Sequence, residues 1–222
     1  AGDALTIGRD NVAVGYAALT SDDVGTDAVA IGKGALQNQN FATETASYNV
    51  AVGRDAGNDI TTSIQNTLIG GLAGDALTTS AGLNVAVGYA ALSSDTLGAN
   101  SVAVGRAALS NQNFTTATDT YNTAIGYSAG SAVTTGDRNT LIGSLAGDAL
   151  TTGAANVAVG YLALSADTKG SSNVAVGRSA LTAQNFTTGT DSFNTAVGDR
   201  AGTAVTTGTL NTLLGGQAGD AI

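Results

Sequence analysis

The chain has 222 residues, a formal net charge of −9, and no Cys, His, Pro, Met or Trp. Without Cys there is no disulfide framework or thiolate metal site, and without His the usual general base near neutral pH is missing. Eight Lys and Arg against seventeen Asp and Glu argue against nucleic acid and anionic membrane surfaces as partners, and no apolar run approaches the roughly 20 residues of a membrane span.

Taken from its start, the chain is a repeat. AGDAL at residues 1–5 reads as the tail of a preceding block; NVAVGYAAL at Asn11 returns at Asn84 and, as NVAVGYLAL, at Asn156. Aligned on the glycine of this motif, the units fall at Gly15, Gly32, Gly53, Gly70, Gly88, Gly105, Gly126, Gly143, Gly160, Gly177, Gly198 and Gly215. The steps are 17, 21, 17, 18, 17, 21, 17, 17, 17, 21 and 17 residues. A four-unit block of 72 to 73 residues therefore recurs three times, over about 6–77, 78–150 and 151–222. A fixed short period is the signature of stacked rungs, so one continuous solenoid region over 1–222 is expected.

Every unit keeps one register. The residue before the glycine is aliphatic (Val14, Ile31, Val52, Ile69) and the residue three before it is Val or Thr (Val12, Val29, Val50, Thr67). Apolar residues at i and i+2 define one face of a short strand. Ala always stands three after the glycine; four after it come Leu19 and Leu36, then Gly57 and Gly74. The Gly-rich units carry no 3.6-residue stripe, so no helix is predicted. The expected fold is all-β: a parallel β-solenoid of about twelve rungs in three four-rung blocks. Each rung would hold a strand such as Val12–Val14, a turn near the glycine, a second short strand through Ala18 and Leu19, and a return loop. Between the β-branched pair stands Ala, or Leu in the fourth unit (Leu68, Leu141, Leu213). The strand is thus apolar on both faces. One face fills the coil, and the small face, with Ala13, Ala30, Ala51 and Ala86, suits close approach of a second surface.

Asn stands four before the glycine in ten of the twelve units: Asn11, Asn49, Asn66, Asn84, Asn122, Asn139, Asn156, Asn173, Asn194 and Asn211, with Ala28 and Ser101 as exceptions. Stacked Asn side chains hydrogen-bond from rung to rung, and Asn tolerates a left-handed corner, so these form the expected structural ladder. The 21-residue steps share Asn40-Phe41, Asn113-Phe114 and Asn185-Phe186. An amide beside an aromatic ring is a candidate receptor- or glycan-binding surface. The competing reading packs each Phe under its loop, with Tyr48, Tyr121 or Phe193 beside it. Asp75, Asp148 and Asp220 follow Ala-Gly in each fourth rung, and Asp22, Asp95 and Asp167 precede Gly25, Gly98 and Gly170 by three; both sets read as turn chemistry. Lys33, Arg106 and Arg178 share one position as solvated charges that limit side-by-side aggregation. No catalytic constellation, metal site or cofactor motif is found, and no enzyme is predicted.

The pattern N-[VT]-[AL]-[VI]-G-x-x-A-[LG], seen best in SVAVGRAAL at Ser101 and NVAVGRSAL at Asn173, resembles the head repeats of trimeric autotransporter adhesins. NTLIGSLAGDALTTG at Asn139 is similar to repeats of bacteriophage tail fibres. The resemblance covers all twelve units, although adhesin-head rungs are usually shorter than these. It implies a left-handed β-roll, a homotrimer about one axis, an extracellular place on a cell surface or virion fibre, and attachment to a host receptor. Two other functions fit a repeat of this kind: a purely architectural extracellular filament, or a monomeric ice-binding solenoid using Thr67, Thr123, Thr140, Thr195 and Thr212.

Overall fold

A β-branched segment of three residues is too short to hold strand conformation alone; it becomes a strand by pairing with its copy in the next rung. In the computed structural model, which describes residues 1–79 and 82–221, this happens throughout. Among the described residues there is no helix, and the chain is a parallel β-solenoid of about twelve turns. It divides into two compact units, Ala1–Ala107 with Asn113–Asp119, and Ala108–Gln112 with Thr120–Ile222. In the first, the strands Val12–Val14, Val29–Ile31, Val50–Val52, Thr67–Ile69, Val85–Val87 and Val102–Val104 pair in that order, parallel and without a register slip. In the second, Thr123–Ile125, Thr140–Ile142, Val157–Val159, Val174–Val176, Thr195–Val197 and Thr212–Leu214 do the same.

The two faces of these strands are the reverse of the expected assignment. The central residue points into the coil: Ala30, Ala51, Leu68, Ala86 and Ala103 in the first unit, and Ala124, Leu141, Ala158, Ala175 and Ala196 in the second, are all fully buried. The β-branched residues on either side point outward and stay half-buried or exposed. Volume explains the reversal. The coil is also filled by the Ala three after the glycine (Ala18, Ala35, Ala91) and by the Leu four after it (Leu19, Leu36, Leu92), all without exposure. A close-packed interior has no room for two more branched side chains per rung.

The same accounting explains the alternation of Leu and Gly. In the third and fourth rungs the Leu is replaced by Gly57 and Gly74, and the space passes to other side chains. A Cβ at Gly74 would stand 2.8 Å from Leu68 Cδ2 and 2.9 Å from Leu77 Cδ1; one at Gly57 would stand 2.8 Å from Leu68 Cδ1 and 3.1 Å from Ile60 Cδ1. Gly130 and Gly147 admit Leu141, Val133 and Leu150 in the second unit in the same way. Large and small residues exchange places while the filled volume is kept.

The expected second strand through Ala18 and Leu19 does not form. Those residues lie in a turn, where Leu19 has φ 49° and Ala17 φ 56°. Short second strands occur instead at the edges of the long loops: Gly25–Thr26 pairs with Thr45–Ala46, Gly98–Ala99 with Thr118–Asp119, and Gly170–Ser171 with Thr190–Asp191. Nor does Asn take the left-handed corner. The residue before that position does, whatever its type: Asp27, Tyr48, Gln65, Leu83 and Asn100 have φ between 49° and 62°. A left-handed non-glycine residue costs roughly 1–2 kcal/mol, so rung-to-rung bonds hold this corner rather than local preference.

The glycine that ends each strand is demanded by space as well as by φ. Gly143 has φ 131°, and a Cβ there would stand 2.6 Å from the carbonyl oxygen of Gly160 in the following rung. Gly189, in a long loop, has nothing within 4 Å. Gly143→Ala is therefore expected to cost at least about 3 kcal/mol, while Gly189→Ala stays within about 0.5 kcal/mol of the native chain, both read from urea unfolding. Equal midpoints for the two variants would contradict the close approach.

Candidate functional site

The Asn row lies inside the coil and is almost wholly shielded from water: Asn49, Asn66, Asn84, Asn139, Asn156 and Asn173 have no exposure. Each side chain spans two rungs. Asn139 Oδ1 accepts the Asn156 backbone N–H at 3.0 Å and its Nδ2 at 3.2 Å, while Asn139 Nδ2 donates to the Gly153 carbonyl at 2.9 Å. Asn49 does the same toward Asn66 and the Ser63 carbonyl, and Asn194 toward Asn211 and the Gly208 carbonyl. Toward the two ends of the first unit Asn11 reaches Ala28 and Gly25, and Asn84 reaches Ser101 and Gly98. Where Ala28 and Ser101 interrupt the row, the next amide finds a hydroxyl: Asn49 N–H donates to Ser47 Oγ at 3.3 Å, and Asn122 N–H to Thr120 Oγ1 at 3.4 Å. Asn122 Oδ1 then resumes the pattern by accepting from Asn139 N–H. Such buried groups have no access to a ligand, and their geometry is that of a clamp on the polypeptide backbone.

The Asn-Phe loops divide into an outward amide and an inward ring. Phe41, Phe114 and Phe186 are only 5%, 7% and 7% exposed, so they close the loop as packed side chains and offer no stacking face. Asn40, Asn113 and Asn185 are exposed; Asn113 Oδ1 accepts from Thr96 Oγ1 at 3.0 Å and Asn185 Oδ1 from Thr168 Oγ1 at 3.1 Å. Tyr48, Tyr121 and Phe193 are more than half exposed, each at the left-handed position before the Asn. What anchors the loop is a buried polar chain. Asp167 Oδ1 accepts from the backbone N–H of Gly170 and Phe186, Asp167 Oδ2 accepts from Gln184 Nε2 at 2.6 Å, and Gln184 Oε1 accepts from Asn194 Nδ2 at 2.7 Å. Asp22, Gln39 and Asn49 repeat this in the first block. The Asp three before the glycine thus does shape the turn, and it also ties the loop to the Asn row.

The outer surface carries features that the spacing of apolar residues did not reveal. Four of the six tyrosines, Tyr16, Tyr89, Tyr127 and Tyr161, stand directly after the strand-ending glycine and are roughly half to four-fifths exposed. Lys33, Arg54, Arg106 and Arg178 occupy the same position in other rungs. Arg178 forks onto Asp199 at 2.8 and 3.0 Å, and Arg54 meets Asp55 at 3.0 Å. In the first block Lys33, Gln37, Asp55, Asn58, Asp59 and Asp75 line an open cleft of about 440 Å³. Beside it Arg54, Gly71, Leu72 and Tyr89 form a smaller, largely apolar notch of about 170 Å³. No group of three or more acidic residues among those described stands close enough to hold a metal ion. Comparison with protein-family models, with characterised proteins and with solved structures gave no match for this chain.

Asp75 departs furthest from the turn role. Its Oδ1 is buried with no hydrogen-bond partner among the described residues, as is Asp148 Oδ1. Burial pushes the Asp75 carboxyl from the ordinary 3.8 up to about 6, and the carboxylates of Asp59 and Asp55 add to the rise. Asp148 is raised by burial alone. A carboxyl raised in the folded state binds its proton more tightly there than in the unfolded chain. Its contribution is therefore fully present below pH 3.8 and is lost as pH rises through about 6. Asp75→Asn is expected to be more stable than the native chain at pH 7.5, by on the order of 1 kcal/mol given the partial exposure of the group, and equal to it near pH 4. Urea unfolding at both pH values checks this; identical stabilities at pH 7.5 would contradict it.

Proposed function

We propose that the chain is a structural and adhesive segment of a surface or virion fibre, of the tail-fibre or trimeric-adhesin kind, in which three copies pack along one axis and present a surface to a host receptor. The observation that carries this reading is the outward face of the strands. In each unit it offers two columns of Val, Ile and Thr, with Val14 57% and Ile69 41% exposed. A monomeric surface rarely leaves so regular an apolar stripe uncovered. The stripe repeats with the rung, and the partner whose surface repeats with the same step is a second copy of this chain. β-branched side chains at every rung let the copies mesh in register. The left-handed coil and the number three come from the repeat pattern's resemblance. The extracellular setting and the receptor-binding role come from it too.

An interrupted Thr array weakens the ice-binding reading. Thr123 and Thr140 are neighbours on the outward face, as are Thr195 and Thr212, but Val157 and Val174 separate the two pairs.

Sedimentation equilibrium of the purified chain is expected to give a mass near three times 21.5 kDa at micromolar and nanomolar concentrations. Lys at two outward positions, Val85→Lys with Val87→Lys, should return the mass to that of one chain while the far-ultraviolet spectrum stays that of a β-protein. A native chain that sediments as one copy at micromolar concentration would overturn the proposal.

A further inference from the structure

The three blocks of this chain are controls for one another. What one block carries alone is not required by the coil. Around the cleft of the first block, Gln37, Asp55, Asn58 and Asp59 are replaced by Ser110, Ser128, Ser131 and Ala132 at the matching positions of the second block. In the third block the same positions hold Thr182, Arg200, Thr203 and Ala204. The second block builds its strands and core without any of the four polar side chains. Their gathering in one cleft therefore has no explanation in the fold.

Main-chain bonds position the cleft firmly. Asp55 N–H donates to the Lys33 carbonyl at 2.7 Å, Asp59 N–H to the Asp75 carbonyl at 2.9 Å, and Leu72 N–H to the Arg54 carbonyl at 2.9 Å. Asn58 Nδ2 is tied to the Gly34 carbonyl at 2.9 Å, which leaves its Oδ1 as a fixed acceptor, and Asn38 Nδ2 reaches Asp59 Oδ1 at 3.3 Å. The buried Asp75 Oδ1 lacks a partner among the described residues. Leu72 lines both this cleft and the neighbouring notch, so the two adjoin. In the notch Gly71 leaves bare backbone beside Tyr89: a Cβ there would stand 3.5 Å from the ring, and the ring is 55% exposed.

An exposed aromatic ring next to fixed carboxylates and amides matches a polyhydroxylated ring. The apolar C–H face of a sugar stacks on the aromatic, and vicinal hydroxyls donate to carboxylate and amide oxygens and accept from ammonium or amide N–H. Lys33 and Arg54 offset part of the charge of Asp55, Asp59 and Asp75, which favours a neutral ligand over an anionic one. We infer that the Tyr89 notch and the adjoining Asp55–Asp59–Asp75 cleft form a binding site for a neutral saccharide, with Tyr89 as the stacking platform and Asp59, Gln37 and Asn58 as hydroxyl partners. This rests on the attachment reading, and it moves the saccharide contact from the Asn-Phe loops, whose rings are buried, to the surface where the first block meets the first rung of the second.

The test uses the whole chain and saturation-transfer NMR with the methyl glycosides of glucose, galactose, mannose and N-acetylglucosamine at millimolar concentration. At least one should receive saturation, strongest on its ring protons. The transfer should fall at least fivefold in Tyr89→Ala and in Asp59→Ala, both surface changes, and persist in Tyr161→Ala, at the matching position of the third block. No transfer to any glycoside, or transfer that survives both Tyr89→Ala and Asp59→Ala, overturns the site. So does transfer confined to cationic glucosamine, added as a fifth probe, because the cleft would then be a cation trap. Sedimentation of the same samples separates the two claims. Trimers without transfer refute the saccharide site and leave the fibre reading standing, whereas transfer to a stable monomer does the opposite.

Discussion

The carbonyl of one strand-ending glycine lies against the α-carbon of the glycine one rung earlier, and the rest of each coil depends on that approach. No side chain fits between them, and the φ values near 130° exclude one independently. The chain must leave its strand at that point, turn sharply, and re-enter the next rung in register. Everything that follows within a rung is arranged around this fixed stop. Ala three residues later and Leu or Gly four residues later fill the narrow space that the turn encloses. The Asn four residues before the glycine takes the opposite duty. By accepting the next Asn N–H and donating to the carbonyl fourteen residues on, it pins the entry to the strand as the glycine pins its exit. Between those two pins the left-handed residues, which ordinary side chains adopt at a cost, have little freedom to relax.

Inside the coil the repeat tolerates change by exchanging volume. A rung with Leu after the glycine keeps Ala at the strand centre and a polar residue, Asp or Gln, at the far corner. A rung with Gly there takes Ile, Val or Leu at the corner, and in the fourth rung Leu at the centre as well. The buried Asp–Gln–Asn chain of the first two rungs is costly to desolvate, but its members are matched bond for bond, and it fastens the longest loops to the ladder. The interior of each rung is small. The outward Val, Ile and Thr columns are left only half-buried, which links the packing of a single rung to the proposed assembly of copies.

The positions of the three-residue strands, their register and the rung count were legible in the sequence, because the strand-ending glycine, the aliphatic residue before it and the Val or Thr three before it recur without exception. Which face turned inward was not. Val and Ala are both apolar, and period-two alternation defines two sides of a strand without saying on which side the coil closes. The deciding signal was present in another form: Leu68, Leu141 and Leu213 occur only where the residue four after the glycine is Gly. A large residue that appears only when another is lost shares a cavity with it, so the strand centre and the post-glycine Leu face each other inside. The fate of the Asn-Phe loops was half legible, since burial of Phe41 follows from scarcity of large apolar groups, whereas exposure of Tyr48 follows from a backbone corner that its side chain does not announce. The first-block cleft was legible only by comparing blocks position by position, because Gln37 and the Asp55–Asp59 stretch lie in different rungs that the coil brings together.

The inward placement of Ala and Leu and the outward placement of the β-branched pair is the claim on which packing, assembly and the location of any site all rest. The absence of native Cys makes it directly measurable. Cys introduced at Val50 or at Ala51, adjacent residues of one strand, should react with a water-soluble thiol reagent at very different rates in the single-copy chain that carries Val85→Lys and Val87→Lys. The account predicts that Val50→Cys labels readily in the folded chain and Ala51→Cys labels only when the coil unfolds. Fast labelling at position 51 with protection at position 50 would place the faces the other way round and contradict the account at its centre.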